Sequence, residues 1–420
     1  MTVQLLRGAR LAGGEVVDVR LDGGLVTAVE PAGGAPRPGD AGLPVTDLTG
    51  YLLCGAFAEP HTHLDKAFTA DRDATPDGTL RGAMERYGAV LADMDEEDVR
   101  RRAARALGHL VAHGATAVRT HVGCGRLLGV RAVRALARLR DELADVVDLQ
   151  VVAHVGGPGP GETWRTHRTR LTDALDAGAD VVGGNPSIEA DPVAAMEECV
   201  AVAVERGVPV DLHVDETTDP AVLTLRHLAR LAAGAGVPVT ASHCVSLGQQ
   251  DADTAAEVAA EVAAAGVRVV ALPATNLYLQ GRAAVPRPRG LTALDALRAA
   301  GVRVAAGGDN VRDPFNPTGR LDPLETASLA VTAGQQPPRV AWDLVGPDAR
   351  AVLGLPAAGP QPGARADLVA VRAGSLEDAL ALGPADRIVW RAGRLVSRTG
   401  VERQGPLEDR LRGLGAEPVR

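Results

Sequence analysis

The sequence predicts a parallel (β/α)₈ barrel with a small β-sandwich assembled from both chain ends. Three observations carry that expectation. Apolar strand-like runs recur through the middle of the chain about every 30 residues, the size of one βα unit. Ala-, Arg- and Glu-rich helical stretches separate them, and both ends are instead dense in short strands and turns. At 420 residues the chain is long enough for one large domain with an appendage.

The first part alternates apolar runs with Gly and Pro turns, "VQLLRGARL", "EVVDVRLDGGLVTAVEP" and "VTDLTGYLLCGA", a pattern of strands joined by tight hairpins. The last part repeats it in "ADLVAVRA" and "DRIVWRAGRLVSR". Chain ends commonly lie close together. Residues 1–55 with 356–420 are therefore expected to form a composite sandwich, and residues 56–355 the barrel.

Eight barrel strands are expected. The first leads into "EPHTH"; the others are "GATAVRTHVG", "DLQVVAHVG", "ADVVGGNP", "VPVDLHVDE", "VPVTASHCVS", "VRVVALPATN" and "VRVAAGGDN". Continuous apolar runs suit strands buried on both faces. "DPVAAMEECVAVAVERG" and "DADTAAEVAAEVAAAG" read as helices that each precede a strand.

Composition narrows the function. A formal net charge of -9 without a basic cluster argues against a nucleic-acid partner, since phosphate neutralisation needs concentrated positive charge. No apolar stretch of about 18 residues is present and the first residues do not resemble a leader, so a soluble cytoplasmic protein without a membrane partner is expected. Cys54, Cys124, Cys199 and Cys244 are widely spaced and form no C-x-x-C pair, which indicates reduced thiols. Aromatics make up 2% of the chain, and Lys66 is the single lysine among 44 basic residues.

The polar residues sit at one place in each βα unit. His61 and His63, His121, His154, His213 with Glu216, His243, and Asp309 all fall at the carboxyl end of an expected strand, which in a barrel is the active-site mouth. An H-x-H pair on a strand projects both rings to one side. Two neutral imidazoles with a third histidine and a carboxylate suit Zn²⁺ or Fe²⁺ and leave a position for water; His213 and Asp309 are the natural completions. A metal there lowers the pKa of water from about 16 to near 7, which implies hydrolysis. An H-x-H pair alone is also what a chance surface pair gives. His121 and His154 can contact substrate or only pack behind the ligands.

At this point "EPHTHLDKAF", "VRTHV", "DLQVVA", "DLHVDE", "TASHC", "LYLQGR" and "GGDNVRDPF" resemble, in order and over nearly the whole chain, the amidohydrolase superfamily and within it the cytosine deaminase group. The resemblance implies a TIM-like metal-dependent hydrolase barrel and one divalent metal ion, Zn²⁺ or Fe²⁺, on His61, His63, His213 and Asp309. Glu216 matches the proton-shuttling glutamate and His243 the histidine that holds or polarises the hydroxide. Asp309 is then placed to accept the proton of the water, and Glu216 to protonate a ring nitrogen. The expected partners are a small heterocyclic substrate and water; the family is often oligomeric, which leaves a homo-oligomer open without the sequence deciding it.

Phe315 falls where the family places an aromatic over the ring. Phe68, Tyr278 and Gln280 follow barrel strands and are candidates for the same wall, although a loop aromatic also serves to anchor its own loop. The chain departs from cytosine deaminases at Gly156, where a substrate-reading glutamine is expected, at Asn310, where a second aspartate is expected, and at Gly123 in "VRTHVG". These changes fall on recognition. A cyclic amidine, amide or alkylamino heterocycle related to cytosine is therefore the expected substrate. A ring-opening amidohydrolase with two metals would use a lysine on the fourth strand, and none is there; a non-catalytic metal-binding barrel would have no need of Glu216.

Overall fold

The computed structural model describes residues 3–34, 42–72, 78–91, 94–402, 404–406, 410, 413 and 414. Strands β1 (Gln4–Arg10), β2 (Val16–Asp22), β3 (Leu25–Pro31), β4 (Val45–Asp47) and β5 (Leu52–Gly55) come first. The barrel strands are β6 (Phe57–Thr62), β7 (Ala115–Gly123), β8 (Asp148–His154), β9 (Val181–Gly184), β10 (Val210–Val214), β11 (Val239–His243), β12 (Arg268–Ala271) and β13 (Val304–Ala306). Strands β14 (Leu368–Val371), β15 (Arg387–Arg391) and β16 (Arg394–Thr399) close the series.

The chain divides into two compact units. One takes the residues up to Phe57, Leu110–Thr116, and the chain from Pro356 onward; the other takes Ala58–His109 and Ala117–Leu355. In the first, one sheet of order β16-β15-β14-β5-β1-β2-β3, with β4 beside β1, joins both ends of the sequence. The register of β2 alternates buried and less buried residues, as a half-covered strand requires. Leu6, Val19, Leu53, Leu368, Ile388 and Trp390 share one core.

The second unit contains the expected parallel barrel, ordered without interruption from β6 to β13. All six residues of β6 and all five of β10 and β11 are buried, which matches their continuous apolar reading. A parallel bridge between Thr62 and Asp309 ties the first strand to the segment after the last. Asp309 N donates to the His61 carbonyl at 3.0 Å, and His63 N donates to the Asp309 carbonyl at 3.2 Å.

Helices α1 (Leu80–Val90), α2 (Glu96–Ala112), α3 (Arg131–Glu142), α4 (Trp164–Asp176), α5 (Pro192–Arg206), α6 (Leu225–Ala235) and α7 (Ala252–Ala264) lie among these strands in the sequence. Asp191 caps α5 by accepting from Ala194 N and Asp251 caps α7 by accepting from Thr254 N, each satisfying a first-turn donor. Among the described residues no helix is long and apolar enough to cross a membrane. The four cysteines are buried and form no disulfide.

Candidate metal centre and substrate cavity

Period-two alternation points Glu59, His61 and His63 to one side of β6 and its extension, and Asp211 and His213 to one side of β10. Both sets are buried in the barrel. The layer beneath the imidazoles is polar and tightly paired. Arg119 Nη1 donates to Asp211 Oδ2 at 2.8 Å, and its Nε and Nη2 donate to Gln150 Oε1 at 2.9 and 2.7 Å. Burial works against the Asp211 carboxylate, yet the His121 ring and the Arg119 guanidinium hold its pKa below the usual value. Glu59 accepts from His61 N and Gly308 N, and burial pushes it up to about 8.

This layer sets the proton positions above it. Ser242 Oγ donates its single proton to Asp211 Oδ1 at 2.9 Å and lies 2.9 Å from His61 Nδ1. With that proton committed, Ser242 accepts from His61 Nδ1–H, so His61 Nε2 presents a lone pair. His63 Nδ1 is 3.1 Å from the His121 carbonyl, which only accepts, so His63 Nε2 is likewise a lone pair. His63 Nε2 lies 3.2 Å from His213 Nε2 and 3.3 Å from Asp309 Oδ1, and His61 Nε2 lies 3.6 Å from the same oxygen.

Lone pairs and a carboxylate thus crowd one point. His61 Nε2, His213 Nδ1 and both Asp309 oxygens are buried without a hydrogen-bond partner. Ligand atoms of His61, His63 and Asp309 lie within 4.8 Å of one another, as do those of His61, His121 and His213. Burial, reinforced by neighbouring imidazoles, holds His61, His63 and His213 well below the usual histidine pKa and therefore neutral. Burial also pushes Asp309 up to about 7. Neutral imidazoles, two of them presenting lone pairs, that converge with a carboxyl group lacking any hydrogen-bond donor fit a divalent cation, which would hold that carboxyl ionised.

His243 is arranged differently. Asn276 Nδ2 donates to its Nδ1 at 3.0 Å, which puts the ring proton on Nε2; burial lowers its pKa to about 4. His243 is therefore a neutral donor where His61 and His63 are acceptors. Its Nδ1 is 3.8 Å from Glu216 Oε1. Glu216 accepts from Asn185 Nδ2 at 3.3 Å, and desolvation raises its pKa to about 7. His243 and Asp309 both have left-handed backbones, at φ 74° and 62°, uncommon for residues with a side chain and frequent where a site fixes geometry.

A cavity of about 200 Å³ opens over these groups. Its lining includes His63, His154, His213, Glu216, His243, Asp309, Asn310 and Phe315. Asn310 donates to Asp313 Oδ2 at 2.8 Å and is 3.3 Å from Thr275 Oγ1, so its amide is held. Gly156, Tyr278 and Gln280 do not line it. Gly156 is exposed, Gln280 donates to the Glu216 carbonyl at 3.1 Å, and Tyr278 packs against the cluster of Ala83, Leu279 and Phe315 with Arg282 over its ring. The Phe68 ring stacks with Arg105, away from the cavity lining. Of the two ambiguous histidines, His154 lines the cavity, while His121 stacks on His61 at 3.8 Å between ring centroids.

Sequence reasoning missed the cavity's other wall. Leu80, Met84, Tyr87, Gly88 and Leu91 of α1 and its C-cap line the cavity. Their 4, 3, 1, 3 spacing is the helical stripe that could have marked this face in "LRGAMERYGAVL". Lys66 and Asp65 complete that side. No ion pair joins the two: Asp65 Oδ2 accepts from Gly123 N at 2.9 Å and Tyr87 Oη at 3.2 Å.

A parallel barrel with such a cluster at the carboxyl ends of its strands defines a metal-dependent hydrolase. More particularly, the chain belongs to the amidohydrolase family, which it matches over residues 69–397. It is 35% identical to a pterin deaminase of Rhizobium rhizogenes over 91% of this chain and 88% of that protein. The structure of 5-methylcytosine deaminase from Klebsiella pneumoniae liganded with 5-fluorocytosine superposes with a TM-score of 0.86 at 28% identity, covering 96% of this chain and 99% of that one. N-isopropylammelide isopropylaminohydrolase from Burkholderia multivorans gives 0.80 at 30% identity, covering 95% and 99%.

Proposed function

We propose that the protein is a hydrolytic deaminase of a small aminated heterocycle, a pterin- or cytosine-like ring, with one Zn²⁺ or Fe²⁺ held by His61, His63, His213 and Asp309. The supporting observation is the convergence of two imidazole lone pairs and an unpartnered carboxylate beneath a cavity walled by Glu216 and His243. Two of the relatives named above act, by their names, on a pterin and a 5-methylcytosine. In this reading residues 56–355 form the catalytic barrel and the two ends, 1–55 and 356–420, form the accessory sheet.

A divalent cation bound there supplies a water acidic enough to lose a proton near neutral pH. Asp309, whose oxygens have no hydrogen-bond donor, accepts that proton. Glu216, with a pKa near 7, keeps a substantial acid fraction at neutral pH, and that form gives its proton to a ring nitrogen, making the amidine carbon electrophilic. His243 donates through Nε2–H and stabilises developing negative charge on the attacking oxygen. The water oxygen bonds to the carbon and the exocyclic carbon–nitrogen bond breaks; the nitrogen leaves as ammonia with the proton that Asp309 took from water, and the hydroxyl proton of the addition product returns Glu216 to its acid form. Phe315 faces the ring and Asn310 meets its polar edge, while Gln280 and Tyr278 support the Glu216 carbonyl and the Phe315 cluster from outside the lining and exposed Gly156 takes no part.

The test is to load purified protein with Zn²⁺ or Fe²⁺ and follow ammonia or alkylamine from pterins, cytosines and aminotriazines. Ammonia released with one metal bound per chain supports the proposal. Stoichiometric metal with no release from any of the three classes overturns it.

A further inference from the structure

Lys66 is 8% exposed, lines the cavity, and holds its Nζ 3.8 Å from the centre of the Phe315 ring and 5.5 Å from that of Tyr87. Its charge acts at a distance on the Glu216, Asp309 and Asp313 carboxyl groups, but among the described residues no carboxylate lies in ion-pair contact with it. A buried ammonium that only served structure would be matched to an anion, because an unpaired charge is costly to desolvate. The two aromatic faces offset part of that cost and leave N–H donors for the cavity.

The position of the ammonium is built. Buried Arg102 clamps the chain on either side of Lys66, donating from Nη1 to the carbonyls of Asp65 at 2.7 Å and Ala67 at 2.8 Å. Thr69 Oγ1 donates to the Lys66 carbonyl at 2.6 Å. Phe68 N and Ala70 N pair with the carbonyls of Val311 and Arg312, so the loops carrying Lys66 and Phe315 are stitched together. A charged group held this firmly is preorganised for a ligand. All other basic residues of the chain are arginine; a compact ammonium presents a point charge in a cavity of about 200 Å³, where a planar guanidinium would take more of the space.

We propose that Lys66 is a specificity-determining residue which receives a ring oxo oxygen of the substrate, selecting lactam heterocycles whose N–H ionisation places negative charge on that oxygen. This inference rests on the deaminase reading for the ring class and adds the oxo group as the feature recognised. Lys66 fixes the oxo edge and Phe315 carries the ring between that edge and Glu216. An amino heterocycle without the oxo group leaves the ammonium unpaired and is rejected.

The experiment uses metal-loaded full-length protein and two probe pairs: pterin against 2-aminopteridine, and isocytosine against 2-aminopyrimidine. Calorimetric affinities and ammonia release are measured for the wild type, Lys66→Met and Lys66→Gln. Wild type should favour the oxo member. Lys66→Met should lose about 10- to 100-fold in affinity and kcat/KM for that member alone, the effect of one charge-assisted hydrogen bond, with Lys66→Gln between. Metal content and thermal unfolding of each variant report whether the fold is kept, and a Lys66→Gln protein that folds and discriminates like wild type overturns the inference. So does a wild type that discriminates in neither pair. Oxo-selective binding through Lys66 without ammonia release would leave the inference standing and remove the deaminase reading.

Discussion

Ser242 Oγ stands between His61 Nδ1 and Asp211 Oδ1, 2.9 Å from each, and through it an ion pair in the barrel floor fixes which nitrogen of His61 faces the metal centre. Ser242→Ala removes the acceptor for His61 Nδ1–H. The ring is then free to change tautomer, and metal affinity should fall about 10- to 100-fold. Competition with a chelator of known affinity measures this, and unchanged affinity would show that packing alone orients the ring.

The floor itself should be fragile to single changes. Arg119→Met leaves Asp211 buried without its cation and should cost about 3–5 kcal/mol in denaturant unfolding. Arg119→Met with Asp211→Leu removes both charges and should recover a large part of that loss. A double variant no more stable than Arg119→Met would mean that the pair is not the unit of stability.

Glu216 and Asp309 should separate in their effects. Glu216→Gln removes a proton carrier, so the variant should bind metal normally and lose at least about 100-fold in turnover. Asp309→Ala should lose metal and activity together. Elemental analysis beside steady-state rates distinguishes the two, and an active Glu216→Gln protein would move the proton transfer to another residue.

The pH profile carries the sign of the Glu216 assignment. The protonated carboxyl is the donor and its pKa is near 7, so kcat/KM should fall as pH rises through about 7. Asn185 donates to this carboxylate and lowers its pKa. Asn185→Leu removes that donor while keeping the site dry, so the descending limb should move to higher pH. Movement to lower pH would contradict the role of Asn185.

The barrel was legible because its strands are buried on both faces and read as continuous apolar runs. His61, His63 and His213 stood out because period two and strand-end position are both local properties of the chain. Asp211 obeys the same spacing two residues before His213, but a strand carboxylate only gains meaning once Arg119 and Ser242 from other strands are beside it. The stripe of α1 was equally present, yet an apolar stripe looks the same whether it packs on a barrel or roofs a cavity. Gly156 illustrates a further limit: distance from a strand end does not say whether a loop turns over the mouth or away from it.

The bridge between Thr62 and Asp309 also orders events in time. The residues proposed to grip the metal come from the first strand and from the segment after the last, about 250 positions apart, so the centre cannot exist on a nascent chain that stops short of its final barrel strand. Metal uptake then becomes a completion signal. A truncated or misregistered barrel is expected to hold metal more weakly for want of Asp309, and chelation of a finished one to loosen the seam at which its first and last strands meet.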